Sequence, residues 1–393
     1  MPLTASSAFE SDVSLTVDVS GLAHVLYRLN DGDPEVFYLR NPGGAWGQPV
    51  RLTSNDTLDQ FLVIAALATG EAVAAWQTHG PDREVVCQRV ADGTPAGPLI
   101  NVTDNEVADD ILALAAAGSD RWVLLTLRET PAVDELVVWE VDASGSRTES
   151  VVALGLQQRF LFGLIAVGPD GVIHVAARVA PIKGGSLPRL AHTSNRGGAF
   201  APLRTVLADA SGSDLGLHVD DAGLVYAHAR TATNAQVAIS MDGGETFATV
   251  LDLGAMDVQH VVGRPGGVDV FQLVAIDNLM RLHRVTGPAL EGVFEVPTPG
   301  WRSGDIQFHG GVHFAITTGT LQFTSTSPAP AALSGDVNLD GVLDAGDVVW
   351  LVNVLTSGFP LTLAQLINAD FNGDLVVDGS DLTALVSALA GGL

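Results

Sequence analysis

The chain has 393 residues with 45 acidic against 19 basic side chains, a formal net charge of −26. A surface of that sign repels polyphosphate and anionic lipid, which excludes nucleic acid and polybasic membrane association, and no run of about eighteen apolar residues is present to insert into a membrane. The single cysteine, Cys87, excludes an intramolecular disulfide and a cysteine metal site, and its alternating surroundings put it on a buried strand.

One large domain plus a small one is expected at this length. Charged residues make up only 16% of the chain and glycines number 43, which suits short strands and tight turns better than long salt-bridged helices. The opening stretch MPLTASSAFESD has neither a basic region nor an apolar core, so it is not read as a signal peptide.

Over residues 1–325 one pattern recurs: an apolar strand, a turn, an alternating second strand, a third strand and a polar turn. The first turns align at Gly21, Gly70, Asp120, Gly171, Gly223, Gly267 and Gly311, with spacings of 44 to 52 residues. About four short strands per such period is the signature of a propeller blade, so the fold class expected is all-β, a seven-bladed β-propeller. The last unit holds only three strands, and residues 2–5 are expected to supply its fourth and close the ring without an exposed edge. Six blades plus a separate sheet is the alternative.

The sequence Ser240-Met-Asp242-Gly-Gly244-Glu-Thr246-Phe247 resembles the Asp-box of BNR-repeat, sialidase-like propellers, and degenerate copies begin at Asn41 and Asn195. In those families the box is a structural hairpin turn. Sialidases are similar to one another in an arginine triad and a tyrosine nucleophile paired with glutamate, a pairing that covalent catalysis requires. This chain has only Tyr27, Tyr38 and Tyr226, all on second or third strands, and lacks the Arg-Ile-Pro signature, so sialidase chemistry is not expected. No His/Asp/Glu cluster has zinc spacing. His24, His174 and Tyr226 share one strand position, which points to packing or hydrogen bonding.

Seven residues after the turn, the second strands end in Arg28, Gln77, Arg178 and Arg230, with Arg128 read into the same place in blade three. That end is the usual ligand face of a propeller. Guanidinium forks gathered there fit a carboxylate or sulfate, hence a glycan. Equally, acidic loops at 55–56, 104–110 and 209–214 are available to pair with them. Catalysis by funnel carboxylates is a third reading, with no pair singled out and so no catalytic residue named.

From 334 to 393 there are eight aspartates and no basic residue. Asp336, Asn338, Asp340, Asp344 and Asp347 fall at positions 1, 3, 5, 9 and 12 of a loop, with the Val342 carbonyl at position 7 and Gly341 at the sharp turn. Asp370, Asn372, Asp374, Val376, Asp378 and Asp381 repeat the pattern, with Leu375 in place of the glycine. Hard oxygens on a curled loop are what Ca2+ requires, so two ions are expected and folding should be coupled to them. Helices are read at 348–355 and 382–389, with another at 362–368.

Two aspartate-terminated loops, each followed by a helix, resemble a dockerin type I module over 334–390. The resemblance implies docking to a cohesin-like module on a scaffold or surface protein, and an extracellular or cell-surface location with the export signal removed or encoded upstream. Ala345-Gly346 and Gly379-Ser380 replace the hydroxyl-rich pair usual at the recognition positions, which points away from an ordinary cellulosomal cohesin. The Pro/Ala stretch 326–333 reads as a short linker between the propeller and the module at 334–393. The function expected is a binding protein whose propeller takes a glycan or a protein. The alternatives are an extracellular glycoside hydrolase or lyase of polysaccharide catabolism, and a purely structural scaffold component.

Overall fold

The structure is a computed structural model that describes residues 9–30, 34–41, 46–182, 187–212, 214–254, 258–264, 266–274, 279–297, 304–309, 312–317, 322–326, 337, 345–357, 369, 371 and 377–391. It divides into two compact units, Met1–Ser325 and Thr326–Leu393.

The larger unit is built of antiparallel sheets whose strands pair in chain order. Six have four strands, at 9–51, 58–101, 108–154, 158–207, 215–252 and 258–297, and the described residues of the seventh, at 304–326, form three. They are numbered one to seven here. Residues 2–5, read as closing the last sheet, lie outside the described residues.

Glycine sets the first turn of several sheets. Gly21, Gly70, Gly171 and Gly223 all adopt φ near +80°, and each returns its N–H to the carbonyl three residues earlier at 2.9–3.1 Å. A side chain there would meet its own backbone, so these positions call for glycine. Period-two alternation then gives each sheet two apolar faces, and successive sheets stack through them. Trp76, Leu26 and Tyr38 fill the space between sheets one and two, and Trp122, Leu124, Val73 and Cys87 that between two and three. Leu125 and Val123 meet Val175, Ala177 and Phe160 between three and four. Alanines at 176, 227 and 229 let sheets four and five approach closely. The first strand of sheet one (Phe9–Val17) lies against the first strands of sheets two (Leu58–Ala66) and seven (Gly304–His309), and the last of these also against that of sheet six (Val258–Arg264).

Among the described residues the smaller unit has two helices, α1 (Ala345–Ser357) and α2 (Gly379–Gly391), packed through Leu351 and Leu385 with Val337 and Ala369 buried beside them. Both start three residues earlier than the hydrophobic pattern indicates. The final loop positions already form the first helical turn, where an aspartate is favoured by the exposed N–H groups. The helix expected at 362–368 and most of the 326–333 linker lie outside the described residues.

Candidate functional site

Each first strand starts, and each second strand finishes, at the same end of its sheet, referred to below as the rim. Sheets one and two are aligned in this sense, since the Ile64 and Ala66 amides donate to Ser14 Oγ at 3.3 Å and Thr16 Oγ1 at 3.1 Å. A β-bulge interrupts the first strand near the rim in sheets one, two, three, four and six. At two of them a non-glycine residue has positive φ, Asp12 (48°) and Phe61 (54°). Bulges turn side chains away from the regular alternation. Here Asp12 is turned onto Arg28 (3.2 Å), and Phe61 is left half exposed.

The sequence-derived rim residues fall into distinct environments. Arg28 is held by Asp12 and donates to Ser11 Oγ at 3.2 Å. Gln77 is fully buried, with its amide 2.9 Å from His79 Nε2, a nitrogen also met by Gln60. Arg230 faces Asp214 at 3.8 Å. Arg178 donates to the Ser211 carbonyl at 2.8 Å and lies over the Phe162 ring, 5.8 Å from its centroid.

Arg128 does not share the place assigned to it. Arg28, Gln77, Arg178 and Arg230 follow the alternation of residues packed against the next sheet, as Leu26 and Ala75 show. In sheet three that parity belongs to Leu127, while Arg128 shares the face of Trp122 and Leu124 and turns back toward sheet two. A one-residue step along a strand reverses the face. There Arg128 makes paired bonds to Glu149 (3.0 and 2.9 Å), with Glu135 at 3.4 Å and Asp109 at 3.5 Å. These bonds to Glu149 raise its pKa.

Sequence reasoning missed the acid network beneath this rim. Asp59 and Asp109 are fully buried and accept from Asn55 (3.2 Å) and Asn105 (2.6 Å). Thr53 and Thr103 donate to Glu35 and Glu84, and hold the Val36 and Val85 amides at 2.9 and 2.8 Å. Burial raises the Asp59 carboxyl and pushes Asp109 up to about 6, although Asn105 and Arg128 pull the latter down. The signal was present as Thr-x-Asn-x-x-x-Asp at 53–59 and again at 103–109. Arg83 adds a bridge between sheets, reaching Asp110 at 2.8 Å and Glu129 at 2.7 Å.

The opposite end is structural. Asp242 accepts from the Thr246 amide (2.8 Å) and hydroxyl (2.6 Å) and from Ser240 Oγ (2.7 Å), which hold its carboxyl down at about 2. Phe247 packs edge-on to His192, and His192 lies 3.2 Å from His174. Burial depresses this pair to about 3 and about 4. His24 meets Asp18 at 3.2 Å and Tyr226 meets Asp220 at 3.2 Å, so the shared strand position serves hydrogen bonding to a turn aspartate in both.

In the smaller unit, Asp347 and Asp381 are fully buried in the first turns of α1 and α2. Asp381 Oδ2 accepts from the Asp378 amide at 2.8 Å, curling the end of the second loop, while Ser380 donates to Asp378 and lowers its pKa. Asp336, Asn338, Asp340, Val342, Asp344, Asp370, Asn372, Asp374 and Val376 lie outside the described residues. The segment has no Lys or Arg after 334, and its hard oxygen donors fit calcium. Residues 334–390 match the family model for the dockerin type I domain. The C-terminal module is a dockerin domain. Its identity gives the chain a part whose business is docking to another protein.

The larger unit is similar in fold to solved propellers and to a sialidase. A Hadza microbial sialidase aligns over 81% of this chain and 66% of its own, with a TM-score of 0.52 at 11% identity. Hydrazine synthase of Kuenenia stuttgartiensis aligns over 80% of this chain and 95% of its own (TM-score 0.54, 12% identity), and the β-propeller domain of Myceliophteria thermophila Cps50 over 82% and 98% (TM-score 0.52, 12% identity). The chain thus spans just under two thirds of the sialidase, and at these identities the likeness concerns the fold alone. No curated protein matches the chain by sequence.

Proposed function

We propose that this is a secreted or surface-displayed binding protein, in which a closed seven-bladed propeller is carried by calcium-dependent docking of its dockerin to a cohesin-like partner. The observation that carries the reading is the twin burial of Asp347 and Asp381 at the heads of two packed helices in a segment that lacks basic residues. Asp336, Asn338, Asp340, Asp344 and Asp347, with the Val342 carbonyl, would hold one ion. Asp370, Asn372, Asp374, Asp378 and Asp381, with the Val376 carbonyl, would hold the other. The bound ions would neutralise the clustered carboxylates and fix the helices that present the docking surface.

Ring closure is supported by the contacts of the first strand of sheet seven with those of sheets one and six. Binding is favoured over hydrolysis at Asp109, whose carboxyl is pushed up to about 6 by burial but which is fully buried and engaged by Asn105 and Arg128. The test uses the full chain in calcium and in chelator, followed by circular dichroism and by capture on immobilised cohesins of several types. Loss of helical signal and of capture on chelation is expected. Unchanged helicity and unchanged capture would overturn the calcium-dependent docking.

A further inference from the structure

The rim of sheet four differs from its neighbours in what surrounds its arginines. Phe160 and Val179 belong to the core shared with sheet three, so by alternation and register Arg159, Phe162 and Arg178 turn to the other face, toward sheet five. Phe162 pairs with Arg178 across the two strands, and the bulge at Leu161 leaves the Phe162 ring 47% exposed. Arg178 bridges that ring and the Ser211 carbonyl, and among the described residues its buried Nε has no hydrogen-bond partner. Arg159 is exposed. Among the described residues no carboxylate stands within ion-pair distance of Arg159 or Arg178, whereas Arg28, Arg83, Arg128 and Arg230 each have at least one.

We propose that this face at the rim of sheet four is a subsite for a uronic acid residue of an acidic polysaccharide, its carboxylate taken by Arg178 and Arg159 and the apolar face of its ring laid on Phe162. A planar fork matches a planar carboxylate, and an arginine already held over an aromatic loses little freedom on binding. On a chain of net charge −26, an anionic ligand is repelled elsewhere and directed to cations that are not already neutralised. The groups gathered here for recognition are the side chains of Arg159, Phe162 and Arg178.

This inference rests on the binding-protein reading and narrows its ligand, and the experiment separates the two. The full chain in calcium is titrated calorimetrically with an oligogalacturonide, its methyl ester and a neutral oligosaccharide of equal length. Binding of the acid form is expected, weakened about tenfold or more by esterification and about tenfold by Arg178→Lys or Phe162→Ala, the worth of one charge-assisted contact. Arg196→Lys, at the far end, serves as control and leaves it unchanged. Equal affinity for acid and ester, or full affinity in the Arg178→Lys/Phe162→Ala double variant, would overturn the subsite while leaving a glycan-binding protein in place. Absence of binding to all three, with retention of acidic peptides instead, would overturn both the subsite and the glycan reading.

Discussion

Sheets three and four solve the same packing problem with opposite electrostatics. Sheet three closes its arginine inside a cage of carboxylates, with Asp109 fully buried beneath Arg128. At its rim sheet four leaves Arg178 facing an exposed phenylalanine, and it buries His174 and His192 at the opposite end. Strand position alone therefore says little about availability for binding. What matters is which acids the neighbouring connections bring, and which face a one-residue step selects.

The largest effect expected from breaking this contrast is on stability. Arg128→Met leaves Asp109 buried without its counter-charge and should cost about 3 kcal/mol in urea denaturation, while Arg178→Met should cost less than about 1 kcal/mol. Equal losses would mean that the two arginines do the same work. The double variant Arg128→Met/Asp109→Asn should recover much of the deficit, because the stranded charge is then gone.

A smaller effect concerns acid. Asp109 stands at about 6 in the folded state against an ordinary 3.8, so its contribution is full below about pH 4 and is lost as pH rises through 6. His174 at about 4 and His192 at about 3 run the other way: their contribution is present above 6.5 and is lost as pH falls below it. Between pH 4 and 6.5 the two oppose each other. Asp109→Asn should therefore steepen the rise of stability with pH, and His192→Gln should flatten it, as denaturation midpoints at pH 4.5, 5.5 and 6.5 would show. Parallel profiles for both variants and the parent would contradict the assignment.

The smallest effect sharpens the comparison by its absence. Phe162→Ala removes a half-exposed ring and should shift stability by no more than about 0.5 kcal/mol, whatever it does to ligand binding. A loss of 2 kcal/mol or more, on the scale of a core side chain, would show that the ring is structural.

Much of the fold could be read in advance because its determinants are local. A glycine at positive φ and a period-two strand announce the first turns of sheets one, two, four and five, and the loop spacing of 336–347 and 370–381 announces the dockerin. Arg128 was misplaced because sheet three carries Asp120 where the other first turns align a glycine, and only the burial of Trp122 and Leu124 fixes the face. The buried Asp59 and Asp109 were spelled out by a repeat of Thr and Asn, yet their burial depends on neighbouring sheets. The contrast between Arg128 and Arg178 was not legible at all, since their partners come from other strands and connections: Glu149 and Glu135 for one, Ser211 and Phe162 for the other.

Under the function proposed above, the larger unit binds its ligand and does not turn it over. The most direct measurement incubates the calcium-loaded chain with neutral, uronic and sulfated polysaccharides, following protein retention and product masses together. Retention on the uronic polymer with no new oligosaccharides is the predicted result, and the appearance of shortened products would contradict it and make the rim an active site.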